Sequence, residues 1–465
     1  MIDVPIAVIV LAAGEGTRFR SELAKVLHHV AGRTVLGWVL EALRPLKLDP
    51  VVLVVGHQAE AVTAEAEAAG LPGLVTVVQA DRRGTGHAAR VALASGALDG
   101  VDTVLLLPGD VPLLTADPLR ALLDTHGGPA TLLTATLPDP TGYGRVLRDR
   151  DGRVLGMVEE RDATPAQRMV DEVGTSIYAF ALAALRRALD GLSTDNAQGE
   201  EYLTDVVARL AEDGVGALSA PRGLVAGVND RAELAGAGSV LRRRVLDRLM
   251  RAGVTVVDPA TTYVADTADV EADAVLLPGT HLEGACRIGA GAVIGPDSRL
   301  VDTVVEAGAT VTYSVALEAS VGPAASVGPF AYLRPGARLE RGAKVGTFVE
   351  VKGSVIGEGS KVPHLSYIGD ATIGRHVNVG AATVTVNYDG YAKHATVIGD
   401  GARVGSDTML IAPVKVGQNA YTGAGSVITR DVPDGALAVE RSEQRTIPGY
   451  AERNRARHAA DEPHH

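Results

Sequence analysis

The chain has 465 residues, enough for about three domains, and a formal net charge of −12. This excess of negative charge argues against nucleic acid or an anionic membrane as a main partner. The single cysteine, Cys286, excludes an internal disulfide and is expected to be a small packing residue, not a nucleophile. No signal-peptide pattern and no run of 18 apolar residues is found, so we expect a cytoplasmic protein with no membrane partner.

Residues 1–228 alternate between short apolar runs and segments with helical spacing. The runs at 6–11, 51–55, 75–78 and 104–107 are typical of buried parallel strands. The segments at 35–46 and 87–98 lie between them and repeat their apolar residues as a helix does. This order predicts a doubly wound α/β domain.

A glycine-rich segment, LAAGEGTRF, follows the first predicted strand at 11–19 and is followed by Lys25. Glycines after a strand let backbone N–H groups approach a phosphate, and Arg18 and Lys25 supply positive charge. Phe19 takes the third glycine position of the dinucleotide-binding fingerprint, which is therefore not met. A bare Gly-x-Gly is equally compatible with a plain turn, whereas the whole pattern resembles the signature of sugar-nucleotide pyrophosphorylases.

Further polar residues fall where predicted strands end. Gln79 precedes Gly84 and Thr85 at the start of a predicted helix, a suitable place to hold a base and its phosphates. Asp110 follows the very apolar strand at 104–107, and a carboxylate at the carboxyl end of such a strand is well placed to hold Mg²⁺. A helix cap or turn residue is the alternative for Asp110. Asn229 is a candidate second oxygen ligand.

The sequence of residues 229–253 predicts one charged amphipathic helix, which we interpret as a linker whose arginines form a solvated face.

From 254 to 441 an aliphatic residue, often followed by Gly, recurs every six residues. A period of six is typical of a β-helix in which each hexad forms one side of a triangular coil, and about nine coils are expected. The tail at 442–465 lacks this repeat and is assigned no catalytic function; its two terminal histidines are too few to suggest a metal site.

Several polar residues of the repeat are not needed by a purely structural solenoid. Arg334 and Lys352 are 18 residues apart, which is one coil, so we expect them to stack on one edge. Repulsion between two stacked cations favours a bound anion such as a sugar phosphate over a pair of solvated charges. His364 breaks its hexad, Tyr367 follows it closely, and a segment beginning at Asn387 interrupts the period as an inserted loop would.

From about residue 5 to 448, the motifs together resemble the bacterial bifunctional enzyme family of UDP-N-acetylglucosamine synthesis. In that family an N-acetylglucosamine-1-phosphate uridyltransferase is fused to a glucosamine-1-phosphate N-acetyltransferase, and the product serves peptidoglycan and lipopolysaccharide synthesis. The resemblance implies an α/β Rossmann-like nucleotidyltransferase domain followed by a left-handed parallel β-helix. It also implies Mg²⁺ and acetyl-CoA as cofactor and co-substrate, UTP and the two sugar phosphates as substrates, and a homotrimer with acetyl sites shared between subunits.

In the first domain the resemblance implies that Asp110 and Asn229 hold Mg²⁺ and that Arg18 and Lys25 act on the phosphates as catalytic residues. It assigns Gln79, Gly84 and Thr85 to uracil, Gly144 and Glu159 to the sugar, and Leu11, Ala12, Gly14 and Gly109 to further substrate contacts. Two positions depart from the family: Ala24 replaces a usual proline, and Gly174 replaces an asparagine that hydrogen-bonds the sugar. Losing one such bond is worth roughly 0.5–1.5 kcal/mol. Compensation by Ser176 and preference for a different sugar are both open.

In the β-helix the resemblance implies that His364 is the general base for acetyl transfer, a role that a neutral imidazole can fill near pH 7. It assigns Arg334, Lys352, Tyr367 and Asn378 to glucosamine 1-phosphate and Asn387 to the reacting amine or acetyl group. It assigns Ala381, Tyr388, Ser406, Ala424 and Arg441 to acetyl-CoA, with Ser406 near the thioester and Arg441 near the phosphates.

Two alternative functions remain at the level of sequence. A pyrophosphorylase for another sugar 1-phosphate with an appended β-helix would not need His364, Asn387 or the stacked cations. A catalytically silent nucleotide-sugar-binding scaffold would not need Asp110 and Asn229 together. Only Gly174 favours the scaffold.

Overall fold

The computed structural model describes residues 5–81 and 83–461, and it divides into two compact units. The first unit comprises Met1–Arg248 and Val264–Thr267, and the second comprises Leu249–Tyr263 and Ala268–His465. The two terminal histidines of the predicted tail lie outside the described residues.

The first unit contains a mixed sheet with helices on both faces. Its strands are β1 Ile6–Ala12, β2 His29–Val30, β3 Arg33–Thr34, β4 Val51–Val55, β5 Leu74–Val78, β6 Thr103–Pro108, β7 Ala130–Thr136, β8 Arg145–Arg148, β9 Val154–Val158, β10 Glu172–Ala181 and β11 Gly216–Ser219. Its helices are α1 Val35–Leu43, α2 Ala59–Ala68, α3 Thr85–Ala94, α4 Ala116–Thr125, α5 Pro165–Arg168, α6 Leu182–Leu189, α7 Leu203–Leu210, α8 Arg222–Val225 and most of α9 Arg231–Arg251, whose last three residues are assigned to the second unit.

The main sheet has the order β11-β7-β10-β6-β1-β4-β5, with β8 and β9 attached beside β10. Strands β1, β4, β5 and β6 pair in parallel, whereas β10 runs antiparallel to β6 and β7. Along β1, Val8 and Val10 belong to one buried cluster, and Ala7 and Ile9 belong to the cluster on the opposite face. Apolar cores on both faces confirm the predicted doubly wound α/β fold.

Two details of the first unit differ from the sequence-based expectations. Strand β5 lies at the edge of the sheet, so its Val78 side chain is 58% exposed and not buried as predicted. The arginines of α9 do not all form a solvated face: Arg231 donates to the Phe19 carbonyl at 3.2 Å and Arg244 to the Leu113 carbonyl at 2.7 Å. Burial lowers the pKa of Arg244. These two side chains hold α9 against neighbouring backbone.

The second unit is a parallel β-helix. In the part of the chain that the structure describes, it has three parallel sheets of 11, 10 and 9 strands, about one coil more than expected. The first sheet comprises Thr255–Val256, Val275–Leu276, Val293–Ile294, Thr310–Val311, Ser326–Val327, Lys344–Thr347, Lys361–His364, Asn378–Val379, Arg403–Val404, Tyr421–Thr422 and Leu437–Ala438. The second comprises Tyr263–Val264, His281–Glu283, Arg299–Val301, Val315–Leu317, Tyr332–Leu333, Glu350–Lys352, Tyr367–Gly369, Val384–Val386, Met409–Ile411 and Val427–Ile428. The third comprises Asp269–Val270, Arg287–Ile288, Val304–Val305, Ser320–Val321, Arg338–Leu339, Val355–Ile356, Ala371–Ile373, Thr396–Ile398 and Val414–Val416.

The aliphatic residue of each hexad fills the interior of the prism. Leu333, Val345 and Val351 are each 0% exposed, as the period predicts. Cys286 is also fully buried and donates its thiol to the Glu283 carbonyl at 3.2 Å, and burial raises its pKa. Its prediction as a packing residue is therefore confirmed, since a buried thiol with a raised pKa is a poor nucleophile.

The segment after the β-helix contains one helix, Tyr450–Asp461, which the tail prediction did not anticipate. Among the helices that the structure describes, none combines the length and apolar character needed to cross a bilayer.

Candidate active sites

The glycine-rich segment forms one wall of a large cavity in the first unit. It leaves the end of β1 and passes into a single turn at Thr17–Phe19, where the Phe19 side chain is 1% exposed and anchors the loop. The cavity has a volume of about 1010 Å³. Of the residues predicted for the first site, those that line it are Leu11, Ala12, Gly14, Arg18, Lys25, Gln79, Gly84, Thr85, Asp110, Gly144, Glu159 and Asn229. Gly109 does not line it, and its backbone N–H donates to the Leu11 carbonyl at 2.8 Å.

The two predicted metal ligands are each held by one of the two predicted catalytic cations. Lys25 donates to the Asp110 carboxylate, and Arg18 donates to Asn229 Oδ1 at 2.9 Å. The Val228 N–H binds the Asp110 carbonyl at 2.9 Å, which ties the segment carrying Asn229 to the end of β6. One carboxylate and one amide oxygen beside a phosphate-binding loop suit Mg²⁺, which keeps few protein ligands and binds substrate phosphates.

The loop before α3 forms another end of the cavity. Gln79 is 4% exposed, and its amide nitrogen donates to the Gly84 carbonyl at 3.1 Å and lies 3.0 Å from His87 Nδ1. The carboxamide oxygen is therefore the group that Gln79 offers to a base. Gly84 has φ +102, and a Cβ there would lie 2.5 Å from the Glu201 carbonyl oxygen, so only glycine fits. Thr85 accepts a hydrogen bond from the Leu203 N–H at 3.0 Å.

Another part of the cavity wall contains Gly144, Glu159 and the departures from the family pattern. Glu159 accepts from Thr204 at 3.1 Å, and burial raises its pKa. At Gly174 the register between β10 and β7 shifts, and Ser176, which follows in the shift, has φ +59. Three lining residues here, Met157, Tyr178 and Thr204, were not predicted from sequence because they carry no charge and belong to no motif.

In the second unit, the residues predicted for acetyl-CoA follow one edge of the β-helix, except Tyr388, which lies in the inserted loop after the strand Val384–Val386. The His364 carbonyl accepts from the Ala382 N–H, the Ala381 carbonyl from the Asp407 N–H, and the Ser406 carbonyl from the Gly425 N–H. Arg441 donates to the Ala424 carbonyl at 2.9 Å. His364, Ala381, Ser406, Ala424 and Arg441 therefore lie in consecutive coils along the same corner. The His364 side chain is exposed there.

The residues predicted for the sugar phosphate lie partly on the adjoining face. The register Leu333↔Val351 places Arg334 and Lys352 one coil apart on the second sheet, as the 18-residue spacing predicts. Tyr367 is in the next strand of that sheet, and Asn387 donates to its hydroxyl at 3.5 Å. Asn378, by contrast, belongs to the first sheet, so a single chain does not bring it onto the face that carries the other three.

The stacked cations are not left as an unscreened pair, which corrects the electrostatic argument made from sequence. Arg334 donates to Glu350 at 2.9 Å, and Lys352 donates to Asp370 at 3.0 Å. The pKa of Lys352 is raised, chiefly by its hydrogen bond to Asp370. The like-charge contact is instead with Lys393 of the inserted loop, whose pKa the neighbouring Lys352 lowers. An anion near Lys393 would relieve that repulsion.

Asp370 connects the sugar-phosphate residues to the inserted loop and was missed in the sequence. It accepts from Lys352 and also from Asn387 at 2.6 Å. The loop lies between the strands Val384–Val386 and Thr396–Ile398, as predicted, and its Tyr388 hydroxyl donates to the Gly390 carbonyl at 2.6 Å. The signal for Asp370 was present, because it lies 18 residues after Lys352 and the coil arithmetic applies to it as well.

Comparison with known proteins covers both units. Residues 8–204 match the MobA-like NTP transferase domain family, and residues 395–430 match the bacterial transferase hexapeptide (six repeats) family. The bifunctional protein GlmU of Thermobifida fusca is 56% identical over 460 residues, covering 97% of this chain and 95% of that protein. That of Streptomyces avermitilis is 53% identical over 465 residues, covering 98% and 96%. That of Mycolicibacterium vanbaalenii is 49% identical over 464 residues, covering 98% and 94%.

Proposed function

The chain belongs to the family of bifunctional GlmU proteins, and from this premise we propose which of its residues carry each of its two activities. It acetylates glucosamine 1-phosphate with acetyl-CoA and then transfers uridylyl from UTP to N-acetylglucosamine 1-phosphate, releasing pyrophosphate. Because the family match covers nearly the whole chain, it excludes both alternatives: the catalytically silent scaffold and the pyrophosphorylase for another sugar with an appended β-helix. We propose residues 1–228 as the uridyltransferase domain, 229–253 as a linker helix, 254–441 as the acetyltransferase domain and 442–465 as a non-catalytic tail.

For uridylyl transfer, the proposed arrangement is an in-line attack of the sugar phosphate on the α-phosphate of UTP. Arg18 and Lys25 face the phosphates and neutralise charge that develops there, while Gln79, Gly84 and Thr85 hold uracil and Gly144 and Glu159 hold the sugar. Asp110 and Asn229 would hold Mg²⁺, which supplies further charge neutralisation on the phosphates when bound. The single observation that supports this most is that these residues line one cavity.

For acetyl transfer, the proposed general base is His364, which removes a proton from the ammonium group so that the free amine attacks the thioester carbon. The amide C–N bond forms as the C–S bond breaks, and coenzyme A leaves as its thiol after taking up the second proton that the nitrogen loses. Asn387 orients the reacting groups, and Ser406, Ala424 and Arg441 extend the cofactor along the corner. The supporting observation is the ladder of backbone hydrogen bonds from His364 to Gly425. Direct attack needs no enzyme nucleophile, in keeping with the buried Cys286.

We further propose that the β-helix acts as a homotrimer. Asn378 lies on a different face from Arg334, Lys352 and Tyr367, so a site that uses all four is completed more readily by a second copy. A ridge of exposed side chains, Tyr313, Phe330, Phe348 and Leu365, also follows the corner that continues to His364. Each has φ between +45° and +60°, a conformation that costs non-glycine residues of order 1–3 kcal/mol. Strained, exposed apolar residues are consistent with a contact surface.

A cytoplasmic location is part of the proposal. It is supported by the co-substrates UTP and acetyl-CoA and by the single, buried cysteine.

Two reciprocal variants test the assignment. His364→Ala should abolish acetyl transfer and leave pyrophosphate release from UTP unchanged, and Asp110→Ala should do the converse. Retention of acetyl transfer by H364A would refute the base, and retention of Mg²⁺-dependent uridylyl transfer by D110A would refute the metal ligand. Each variant serves as the folding control for the other, because one activity must survive in each.

A further inference from the structure

The side chain of Met157 occupies the space beside Gly174. A Cβ on Gly174 would lie far inside van der Waals distance of Met157 Cε and 3.1 Å from its Sδ, and a Cβ on Gly144 would lie 3.5 Å from the same Cε. Gly174 has no positive φ, so its backbone conformation accepts any residue. In its present conformation the end of the Met157 side chain, and not the backbone, occupies the space that a side chain at position 174 would enter.

Met157 is closely packed in this place. It lies in β9, is 6% exposed, and its Sδ is 4.0 Å from the hydroxyl of Tyr178, which is itself 1% exposed. The Met157 sulfur is thus a hydrogen-bond acceptor for the buried Tyr178 hydroxyl. The Gly174 N–H donates to the Gly144 carbonyl at 3.0 Å, so the two backbones under the methyl are also fixed to each other. Met157, Gly174 and Glu159 all line the same end of the cavity.

We infer that Met157 determines sugar specificity in the uridyltransferase site. Its thioether methyl fills the volume that would hold the side chain of the asparagine expected at position 174 from the family resemblance. The wall at this point is therefore apolar and limited in volume. The only methyl group of N-acetylglucosamine 1-phosphate is that of its acetyl group, so contact with Met157 selects the N-acyl substituent by size.

This inference rests on the proposed placement of the sugar at the Glu159 end of the cavity. It predicts that shortening Met157 enlarges the acyl subsite. One methylene in an apolar pocket changes relative kcat/KM by about 10–200-fold, so an effect of about tenfold or more is expected in the preference between successive acyl chains.

The test compares N-acetyl-, N-propionyl- and N-butyrylglucosamine 1-phosphate as acceptors from UTP, with pyrophosphate release as the readout. Met157→Ala should raise kcat/KM for the propionyl sugar relative to the acetyl sugar by about tenfold. The matched control is Met169→Ala, because Met169 is 83% exposed and lies outside the cavity. It should leave the ratio unchanged. Acetyl transfer, measured on the same preparations, should be unchanged in both.

A second pair of variants tests the spatial coupling. Gly174→Asn alone should lower kcat/KM for the acetyl sugar because of the clash, whereas in the M157A background it should be tolerated. Met157→Leu, which keeps an apolar side chain but has no Cε, should allow G174N in the same way if M157A is poorly folded. Strict additivity of G174N with both Met157 variants would overturn the inference.

The outcomes separate the inference from the assignment on which it rests. A Met157 variant that transfers uridylyl with the wild-type acyl preference contradicts the role of Met157 alone. If Glu159→Gln and M157A both leave the KM of every sugar unchanged, the sugar has been placed at the wrong end of the cavity and the proposed site is wrong as well.

Discussion

The half-buried carboxylate of Glu159 affects both the stability of the protein and the proposed binding of substrate. Burial raises its pKa above the value in the unfolded chain, so the unfolded chain releases this proton at lower pH. The free energy of unfolding therefore falls as pH rises from the unfolded to the folded pKa, and stays lower above both. Glu159→Gln keeps an acceptor for Thr204 and cannot ionise. We expect it to unfold at equal or higher urea concentration than wild type at pH 8, with the difference disappearing near pH 4.

The same variant should bind the sugar less well. A hydrogen bond to a charged group is worth about 1.5–3 kcal/mol and a neutral one about 0.5–1.5 kcal/mol. Glutamine keeps the neutral bond, so the KM for N-acetylglucosamine 1-phosphate should rise roughly fivefold to tenfold. Steady-state pyrophosphate release measures this. A variant that is destabilised at pH 8 and has an unchanged KM would contradict the argument.

Lys25 is expected to compete with the metal when no nucleotide is bound. Its ammonium group contacts the Asp110 carboxylate, which is a proposed ligand. Lys25→Met should strengthen Mn²⁺ binding in the absence of UTP by up to about fivefold, or ~1 kcal/mol, while slowing uridylyl transfer. Titration of Mn²⁺ followed by electron paramagnetic resonance provides a readout separate from activity. Unchanged or weaker Mn²⁺ binding would exclude the competition.

Individual residues also show which features of the candidate site could be predicted from the sequence and which could not. Asp110, Gln79 and Gly84 were found because strand ends and glycine-rich turns leave a pattern in the chain. The partnership of Met157 with Gly174 left none, since the two residues lie on β9 and β10, and only the pairing of both strands with β8 brings them together. The sequence revealed the missing asparagine but not the side chain that took its space.

At the scale of the element, the coil stack predicts different responses from two leucines of the β-helix. Leu333 is 0% exposed and Leu437 is 65% exposed. Leu333→Ala leaves a cavity in the stack and should cost about 2–5 kcal/mol. Leu437→Ala should cost little, because surface changes usually fall within about 0.5 kcal/mol. The urea concentration at which acetyl transfer is half lost measures both; equal midpoints would show that the interior contact is not limiting.

Much of this element was predictable because its period is so regular. Six residues per side fix which aliphatic residues point inward, and 18 per coil place Arg334 beside Lys352. The partners of these cations, Glu350 and Asp370, lie within reach by the same arithmetic, but an acid on a polar surface gives no sign that it is paired. The prediction of a bare stacked pair was therefore wrong, while their placement was confirmed.

At the scale of the whole molecule, the ridge of Tyr313, Phe330, Phe348 and Leu365 leads to a prediction about assembly. Phe330 and Phe348 stack with ring centroids 5.4 Å apart and are 54% and 59% exposed in the single chain. Phe330→Asp with Phe348→Asp should shift the protein from trimer to monomer in sedimentation velocity. Acetyl transfer should fall at least tenfold, and uridylyl transfer should be retained.

The matched control for this double variant is Tyr421→Asp, because Tyr421 is 52% exposed but lies outside the ridge. It should sediment as the wild type does. A double variant that remains trimeric would mean that the ridge is not the contact surface, whereas monomers already present in the wild type would contradict the trimer itself.

The coils along the corner from His364 to Arg441 also set the distance between these two residues. Neighbouring parallel strands are about 4.8 Å apart, so four successive coils set the base and the last cation about 19 Å from each other. This length is counted in coils and does not depend on any one side chain. Removing one whole coil from this run would shorten it by about 5 Å without turning any remaining residue off its face. The length available to the cofactor along this corner is therefore determined by the number of coils.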